Sequence, residues 1–166
     1  MFLDKRHWQT IWPSDCGNYV SIINQALLPH KFEILKLFTL EEFYLAIKNM
    51  LVRGAPLIGV TAAYGIAFGI KENSSDEVLN NCFNYLNSSR PTAVNLKWAL
   101  NRVLNKIKNL PLEKRFSVAL EEANKIRNED IEMCKSIGNH GSKLLLDIYQ
   151  KKSFSNKRAK LNILTH

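Results

Sequence analysis

One apolar segment limits how this chain of 166 residues can fold more than any other feature of its sequence. From Ala55 to Ile70 the residues are apolar except for one threonine and three glycines. The segment has 16 residues, whereas a membrane-spanning helix needs about 20 apolar residues with few interruptions. We therefore predict a buried helix, apolar on every side, over about Leu57 to Ile70.

The composition fits a globular protein with one domain of ordinary size. Apolar residues make up 46% of the chain, which excludes the disordered and fibrous classes. The first residues hold neither an apolar run nor a small-residue cleavage site, so no secretion signal is predicted. The cysteines are far apart and odd in number, which disfavours a disulfide framework and a zinc site: Cys16, Cys82 and Cys134. We expect a reduced, cytoplasmic protein with buried or half-buried thiols, no metal ion and no cofactor.

The charge is strongly positive, with 23 Lys and Arg against 15 Asp and Glu and a formal net charge of +8. Such a balance suits a nucleic-acid partner, because basic side chains neutralise phosphates. Between residues 97 and 127, however, the basic residues alternate with acidic ones, as on solvated helix faces. The one dense basic run, over residues 151–160, has the composition of a linker. We predict neither a nucleic-acid partner nor a membrane partner.

The first 38 residues have the character of β-structure. Apolar and β-branched runs alternate with turn residues such as Pro13 and Gly17, which is typical of short strands joined by turns. We predict a small antiparallel sheet or meander with strands at Trp8 to Trp12, Tyr19 to Ile23 and Phe32 to Phe38.

From Thr39 onwards the apolar residues follow a helical period. Thr39 and Glu42 have the spacing of a capping box, and one buried stripe is expected at Leu40, Phe43, Ile47, Met50 and Leu51. Further helices are predicted after the break at residues 53–56, after a cap at Ser75 or Asp76, from about Ala93 and from Pro111. We expect Gly138 and Gly141 to divide the last of these, and Lys160 to His166 to form a strand. The fold class is therefore α+β, with a small N-terminal antiparallel β-sheet and a helical bundle from about Thr39 to Gln150.

Two chain breaks carry an arginine immediately before an apolar helix: Arg53-Gly54-Ala55-Pro56-Leu57-Ile58-Gly59 and Arg90-Pro91-Thr92-Ala93-Val94-Asn95-Leu96. The first amides of a helix and its dipole favour an anion. An arginine adds two parallel donors suited to phosphate or carboxylate. The alternative is that both are ordinary helix connections with surface arginines. The residues alone leave both interpretations open.

The same two elements closely resemble motifs of the methylthioribose-1-phosphate isomerases. Two further segments are similar to that family, namely the strand Ile22-Ile23-Asn24-Gln25-Ala26-Leu27-Leu28-Pro29 and the helical segment Ile137-Gly138-Asn139-His140-Gly141. Asn24 and Ala26 differ from the family's usual Asp and Thr. The superfamily also holds the alpha, beta and delta regulatory subunits of a translation-initiation exchange factor. The resemblance covers the chain in order from end to end.

The resemblance implies an aldose–ketose isomerisation of 5-methylthioribose 1-phosphate to 5-methylthioribulose 1-phosphate in methionine salvage. It implies that Arg53, Gly54, Ala55 and Arg90 bind this phosphorylated sugar, and that the full-length family forms homodimers. The family's catalytic Cys would come directly after His166, and its catalytic Asp later still, so no catalytic role is transferred to this chain. The domains expected are residues 1–150, with the sheet and bundle, and residues 151–166, a linker and the first strand of a missing, doubly wound, Rossmann-like domain.

Three hypotheses about function follow. The first is the N-terminal domain of such an isomerase, inactive alone, which comes from a split gene, a frameshifted remnant or a truncation. For a split gene, a separate C-terminal fragment is the expected partner. The second is a non-catalytic regulatory or interaction protein of the initiation-factor branch. The third is an unrelated basic helical binding module, which would require the motif match to be accidental. The two arginine motifs favour the first.

Overall fold

The computed structural model describes residues 2–3, 6–155 and 160–164. Contacts between residues divide the chain into two compact units, Met1–Arg127 and Asn128–His166. The first unit holds the sheet and the bundled helices, and the second holds the greater part of the last helix. The predicted boundary at residue 150 separates the sheet and bundle from the start of a further domain, which is a different division from this one. That boundary stays a prediction.

Antiparallel strands make up the N-terminal part of the first unit, as predicted. A three-stranded meander has the strand Val20–Ile23 in the middle, with Ile11 opposite Ile22 and Ile22 opposite Leu35. Side chains alternate between the two faces of the sheet, and those of one face belong to the same buried cluster as the helices: Ile11, Val20, Ile22 and Leu37. A short hairpin, which the sequence did not predict, precedes it. The strands are β1 (Phe2–Leu3), β2 (Arg6–His7), β3 (Ile11–Pro13), β4 (Val20–Ile23) and β5 (Ile34–Leu37).

Five helices follow in the described residues, and their starts lie within two residues of the predicted ones. The capping box is confirmed: the Thr39 hydroxyl accepts from the Glu42 N–H at 3.3 Å, and the Glu42 carboxylate accepts from the Thr39 N–H at 2.9 Å. The Ser75 hydroxyl caps the third helix. The helices are α1 (Leu40–Lys48), α2 (Ala55–Gly69), α3 (Asp76–Ser89), α4 (Val94–Ile107) and α5 (Leu112–Ser155).

Helix α2 is the centre of the first unit, and every residue from Leu57 to Phe68 is buried. This confirms the helix predicted from its apolar sequence. It packs against α1, α3 and α4. At Gly59 the two helices α2 and α4 approach so closely that a Cβ would lie 2.8 Å from the Asn95 carbonyl oxygen. The glycine therefore sets how near the N-terminal turns of α2 and α4 lie to each other.

The end of α1 differs from the prediction. The helix stops at Lys48, and Met50, which was expected in the buried stripe, has a φ of 56° and is 38% exposed. Its N–H donates to the Ile47 carbonyl and the N–H of Leu51 donates to the Ala46 carbonyl, which is the Schellman pattern. A non-glycine residue at φ near +60° is uncommon. Periodicity alone does not reveal it, because the stripe is apolar on both sides of this point.

Helix α5 continues without a break through Gly138 and Gly141, so the predicted division there is wrong. A glycine lowers helix propensity by about 1 kcal/mol relative to alanine, and it permits the helical conformation. Residues 151–155, expected in the linker, are also helical. The predicted strand is absent from residues 160–164, where no other strand pairs with the backbone; residues 156–159 and 165–166 lie outside the described residues.

Arg115 was expected on a solvated helix face, and it is instead 5% exposed. Its guanidinium donates to the carbonyls of Lys108, Leu110 and Ser74 at 2.7–3.0 Å, and to the Asp76 carboxylate at 2.6 Å. These carbonyls follow α4 and precede α3, where backbone acceptors have no helical partner. The side chain thus joins the start of α5 to two chain connections.

The three cysteines carry free thiols, and only Cys82 is buried, so the expectation of buried or half-buried thiols is wrong for Cys16 and Cys134. Burial raises the pKa of the Cys82 thiol. The described residues contain no helix of the length and apolar character that a bilayer crossing requires.

Candidate functional site

The four residues predicted to bind substrate line one open cleft of about 510 Å³ in the first unit. Arg53, Gly54 and Ala55 come from the connection between α1 and α2, and Arg90 comes from the end of α3. The fold therefore brings together the two arginine elements that the sequence identified separately. The other lining residues are Met50, Ile58, Ala93, Val94 and Asn95.

The cleft lies where α2 and α4 both begin. The N-caps of these helices, Gly54 and Ala93, provide no side-chain hydrogen bond to the first turn, in contrast with Thr39 of α1 and Ser75 of α3. First-turn amides without a side-chain acceptor are donors for an external anion. The close contact at Gly59 keeps the two positive helix ends side by side.

The charge of the cleft is positive. Among the described residues that line it, the charged side chains are those of Arg53 and Arg90. Neither guanidinium forms an ion pair with a described residue. Arg53 is exposed and Arg90 is half-buried. Each guanidinium is thus available to an anionic group in the cleft, as a bidentate donor.

The chain that carries Arg53 has a defined backbone course. Gly54 has a φ of 96°, which lies in the region that side chains rarely adopt, so glycine is required at this N-cap. The N–H of Arg53 donates to the side-chain Oε1 of Gln25 at 2.6 Å. On the other side of the cleft, the Arg90 carbonyl accepts from the Ala93 N–H at 3.0 Å, which closes the turn before α4.

Part of the cleft wall is apolar, and its residues are not among those predicted to bind substrate. Met50 is 38% exposed and Val94 is 79% exposed. The two motifs contain Ile58, Val94 and Asn95, so their closeness to the arginines in the sequence could have identified them as cleft residues. Nothing in the sequence points to Met50, because the helical period places it on the buried face of α1. The cleft can therefore hold a ligand that has an anionic group and an apolar part.

Groups for proton transfer are not found in this cleft. None of its described lining residues is a carboxylic acid, histidine, cysteine, lysine or tyrosine. General acid–base catalysis needs such a group within hydrogen-bond reach of the reacting atoms. Alone, the arrangement can bind and orient an anion.

Comparisons with known proteins give relatives along the whole chain. It is 45% identical over all its 166 residues to the methylthioribose-1-phosphate isomerase of Escherichia coli O45:K1, and covers 44% of that protein. It is 42% identical to the enzyme of the same name from Methylorubrum populi, again over 44% of the relative's length. The chain thus spans less than half the length of these curated relatives.

Two solved structures resemble the fold. The delta subunit of translation initiation factor eIF-2B from A. fulgidus matches with a TM-score of 0.68 and 36% identity, over 76% of this chain and 38% of that one. The 5-methylthioribose 1-phosphate isomerase from Pyrococcus horikoshii OT3 matches with a TM-score of 0.66 and 39% identity, over 74% of this chain and 36% of that one.

The family assignment follows from residues 51–166, which match the profile described as "Initiation factor 2 subunit family". This range contains both arginine motifs and all the helices from α2 onwards. It is more than half of the sequence. The chain belongs to the initiation factor 2 subunit family.

Proposed function

We propose that this chain is the N-terminal, substrate-binding part of an aldose–ketose isomerase that acts on 5-methylthioribose 1-phosphate in methionine salvage. One observation supports this most directly: two arginines without ion-pair partners among the described residues line a cleft at which two helices begin. The phosphate of the sugar binds to Arg53, Arg90 and the first-turn amides. The apolar side chains of Met50 and Val94 lie against the rest of the ligand.

The chain alone binds the sugar phosphate and does not isomerise it. The reaction moves a hydrogen between two neighbouring carbons of the opened sugar, and a positioned acid or base contributes about 10²- to 10⁴-fold to such a step. The described cleft residues supply no such group. In the proposed enzyme these groups belong to a C-terminal part, which also encloses the substrate and excludes water.

The second unit exposes an apolar helix face, which we propose the C-terminal part covers. Met133, Ile137 and Leu144 of α5 are each more than 60% exposed. They lie four and seven residues apart, so they share one face of the helix. Uncovered apolar faces promote association. The isolated chain is therefore expected to self-associate through this face, whereas the homodimer that the family resemblance implies belongs to the full-length proteins.

The alternative is a non-catalytic regulatory or interaction protein of the initiation-factor branch. The likeness to the A. fulgidus delta subunit favours it. The proposed function requires both binding of a sugar phosphate at Arg53 and Arg90 and turnover once a C-terminal part is present. Turnover distinguishes the two functions, because a non-catalytic protein gives none.

The binding test uses the whole chain and ribose 1-phosphate, with affinity measured by calorimetry. Arg53→Met and Arg90→Met should each weaken binding by about 10- to 100-fold, because a charge-assisted hydrogen bond contributes roughly 1.5–3 kcal/mol. Arg53→Lys should also weaken it, since lysine keeps the charge and loses the paired donors. Lys143→Met, at an exposed position of α5, is the control that removes the same charge elsewhere. Equal affinities for all four variants would exclude this cleft as the site.

The activity test adds a separately produced C-terminal part of the Escherichia coli relative to the chain. Turnover of 5-methylthioribose 1-phosphate is expected from the mixture and not from either part. Robust turnover by the 166-residue chain alone would contradict the proposed division of labour.

A further inference from the structure

We infer that Gln25 is a positioning residue of the anion-binding turn, because its side chain fixes the backbone at Arg53. The inference rests on the proposed function of the cleft, and it adds a residue that does not line it. Gln25 is half-buried in the loop that follows β4. Its Oε1 accepts the hydrogen bond from the Arg53 N–H at 2.6 Å, across 28 positions of sequence.

A second hydrogen bond joins the same two segments in the opposite direction. The backbone N–H of Gln25 donates to the Leu51 carbonyl at 2.8 Å. Gln25 therefore contacts the connection on both sides of Val52, whose side chain is completely buried. These two hydrogen bonds join residues 51–53 to the loop that follows β4.

Few other contacts define the backbone at Arg53. The hydrogen bonds from the end of α1 reach as far as the N–H of Val52, which donates to the Ala46 carbonyl, and α2 begins at Ala55. At Gly54, between them, the carbonyl accepts from the Ile58 N–H at 3.1 Å, and an added Cβ would meet nothing within 4 Å. The Gln25 side chain therefore provides the hydrogen bond that holds the Arg53 N–H itself.

This restraint matters for binding because the guanidinium and the first amides of α2 have to meet the same anion. Arg53 is exposed, and ordering its backbone and side chain on binding costs conformational entropy. A backbone already held in place lowers that cost. Loss of one such hydrogen bond is expected to weaken anion binding by about three- to tenfold.

The experiment measures two quantities on the whole chain: the affinity for inorganic phosphate, and the hydrogen exchange of the Arg53 amide, both by NMR. Gln25→Met removes the acceptor at similar size, whereas Gln25→Glu keeps an acceptor oxygen. Glu also adds a negative charge, which repels phosphate. Whether Gln25→Glu restores the hydrogen bond is therefore judged from the exchange of the Arg53 amide and not from the affinity. Gln150→Met, at an exposed position of α5, is the matched control.

We expect Q25M to bind phosphate three- to tenfold more weakly, with faster exchange at Arg53, while Q25E keeps the amide protected and Q150M behaves as the parent chain. If Q25M does not fold, Q25N replaces it; this side chain is one methylene too short to reach the Arg53 N–H and should give the same losses. If Q25M or Q25N keeps the phosphate affinity and the Arg53 amide exchange rate of the parent chain, the inference is overturned and the proposed function is not. A parent chain that binds no phosphate overturns the proposed function together with the inference.

Discussion

Gly59→Ala tests whether the close approach of α2 and α4 holds the cleft together. The added methyl would lie 2.8 Å from the carbonyl oxygen of Asn95 and 3.4 Å from the Cβ of Ala99. The nearer atom belongs to the backbone of the first turn of α4, so no side-chain rotation relieves the contact. The helices have to separate locally, and the turn that moves forms part of the cleft wall.

Two opposing contributions decide the magnitude. Overpacking a well-packed core costs about 1–3 kcal/mol. Alanine in place of glycine inside a helix gains about 1 kcal/mol. The contact is with backbone, which cannot rotate away, so the cost is expected in the upper part of its range, at about 2–3 kcal/mol. The net loss in the free energy of unfolding is then about 1–2 kcal/mol, which for a chain of this length lowers the Tm by roughly 2–8 °C.

The assay is urea unfolding followed by circular dichroism, with Gly138→Ala as the matched control. At Gly138, on α5, an added Cβ would meet nothing within 4 Å, so only the gain in helix propensity remains and stability should rise. Opposite signs for the two variants are the expected result. A G59A chain as stable as the parent, or more stable, would refute the close packing of α2 on α4.

Two further predictions concern single interactions. Asn24→Asp should destabilise the chain by about 1–2 kcal/mol at pH 7, because the Asn24 amide donates to the Glu33 carboxylate at 2.9 Å and an aspartate would repel it. Lys31 and Asn24 hold the pKa of Glu33 below its ordinary value in the parent chain. In the variant, protonation of either carboxyl restores a hydrogen-bond donor between residues 24 and 33, so the stability lost relative to the parent should shrink as the pH falls towards 4 in urea unfolding. A loss that stays constant with pH would contradict this. Arg115→Met should cost about 2–4 kcal/mol in the same measurement, since it leaves backbone carbonyls without donors. A loss below 0.5 kcal/mol would show that the Arg115 hydrogen bonds contribute little.

The positions of the helices could be predicted because they depend on neighbouring residues. The Thr39 and Ser75 caps act over three residues, and the apolar run of α2 marks a buried helix without reference to any partner. The same local rule failed at Gly138 and Gly141. There, glycine weakens a helix by a limited amount, and the helical residues on both sides were sufficient to continue it.

For the cleft, the sequence determined which residue types and which helix starts were available: Arg53 before α2, and Arg90 before α4. Only the tertiary structure decided that they line one cleft, because this depends on the separation of α2 and α4, which the contact at Gly59 sets. The bond between Gln25 and Arg53 and the left-handed backbone of Met50 were likewise not predictable. The first joins segments 28 positions apart, and local propensity carries no information about which distant backbone N–H a half-buried side chain will meet.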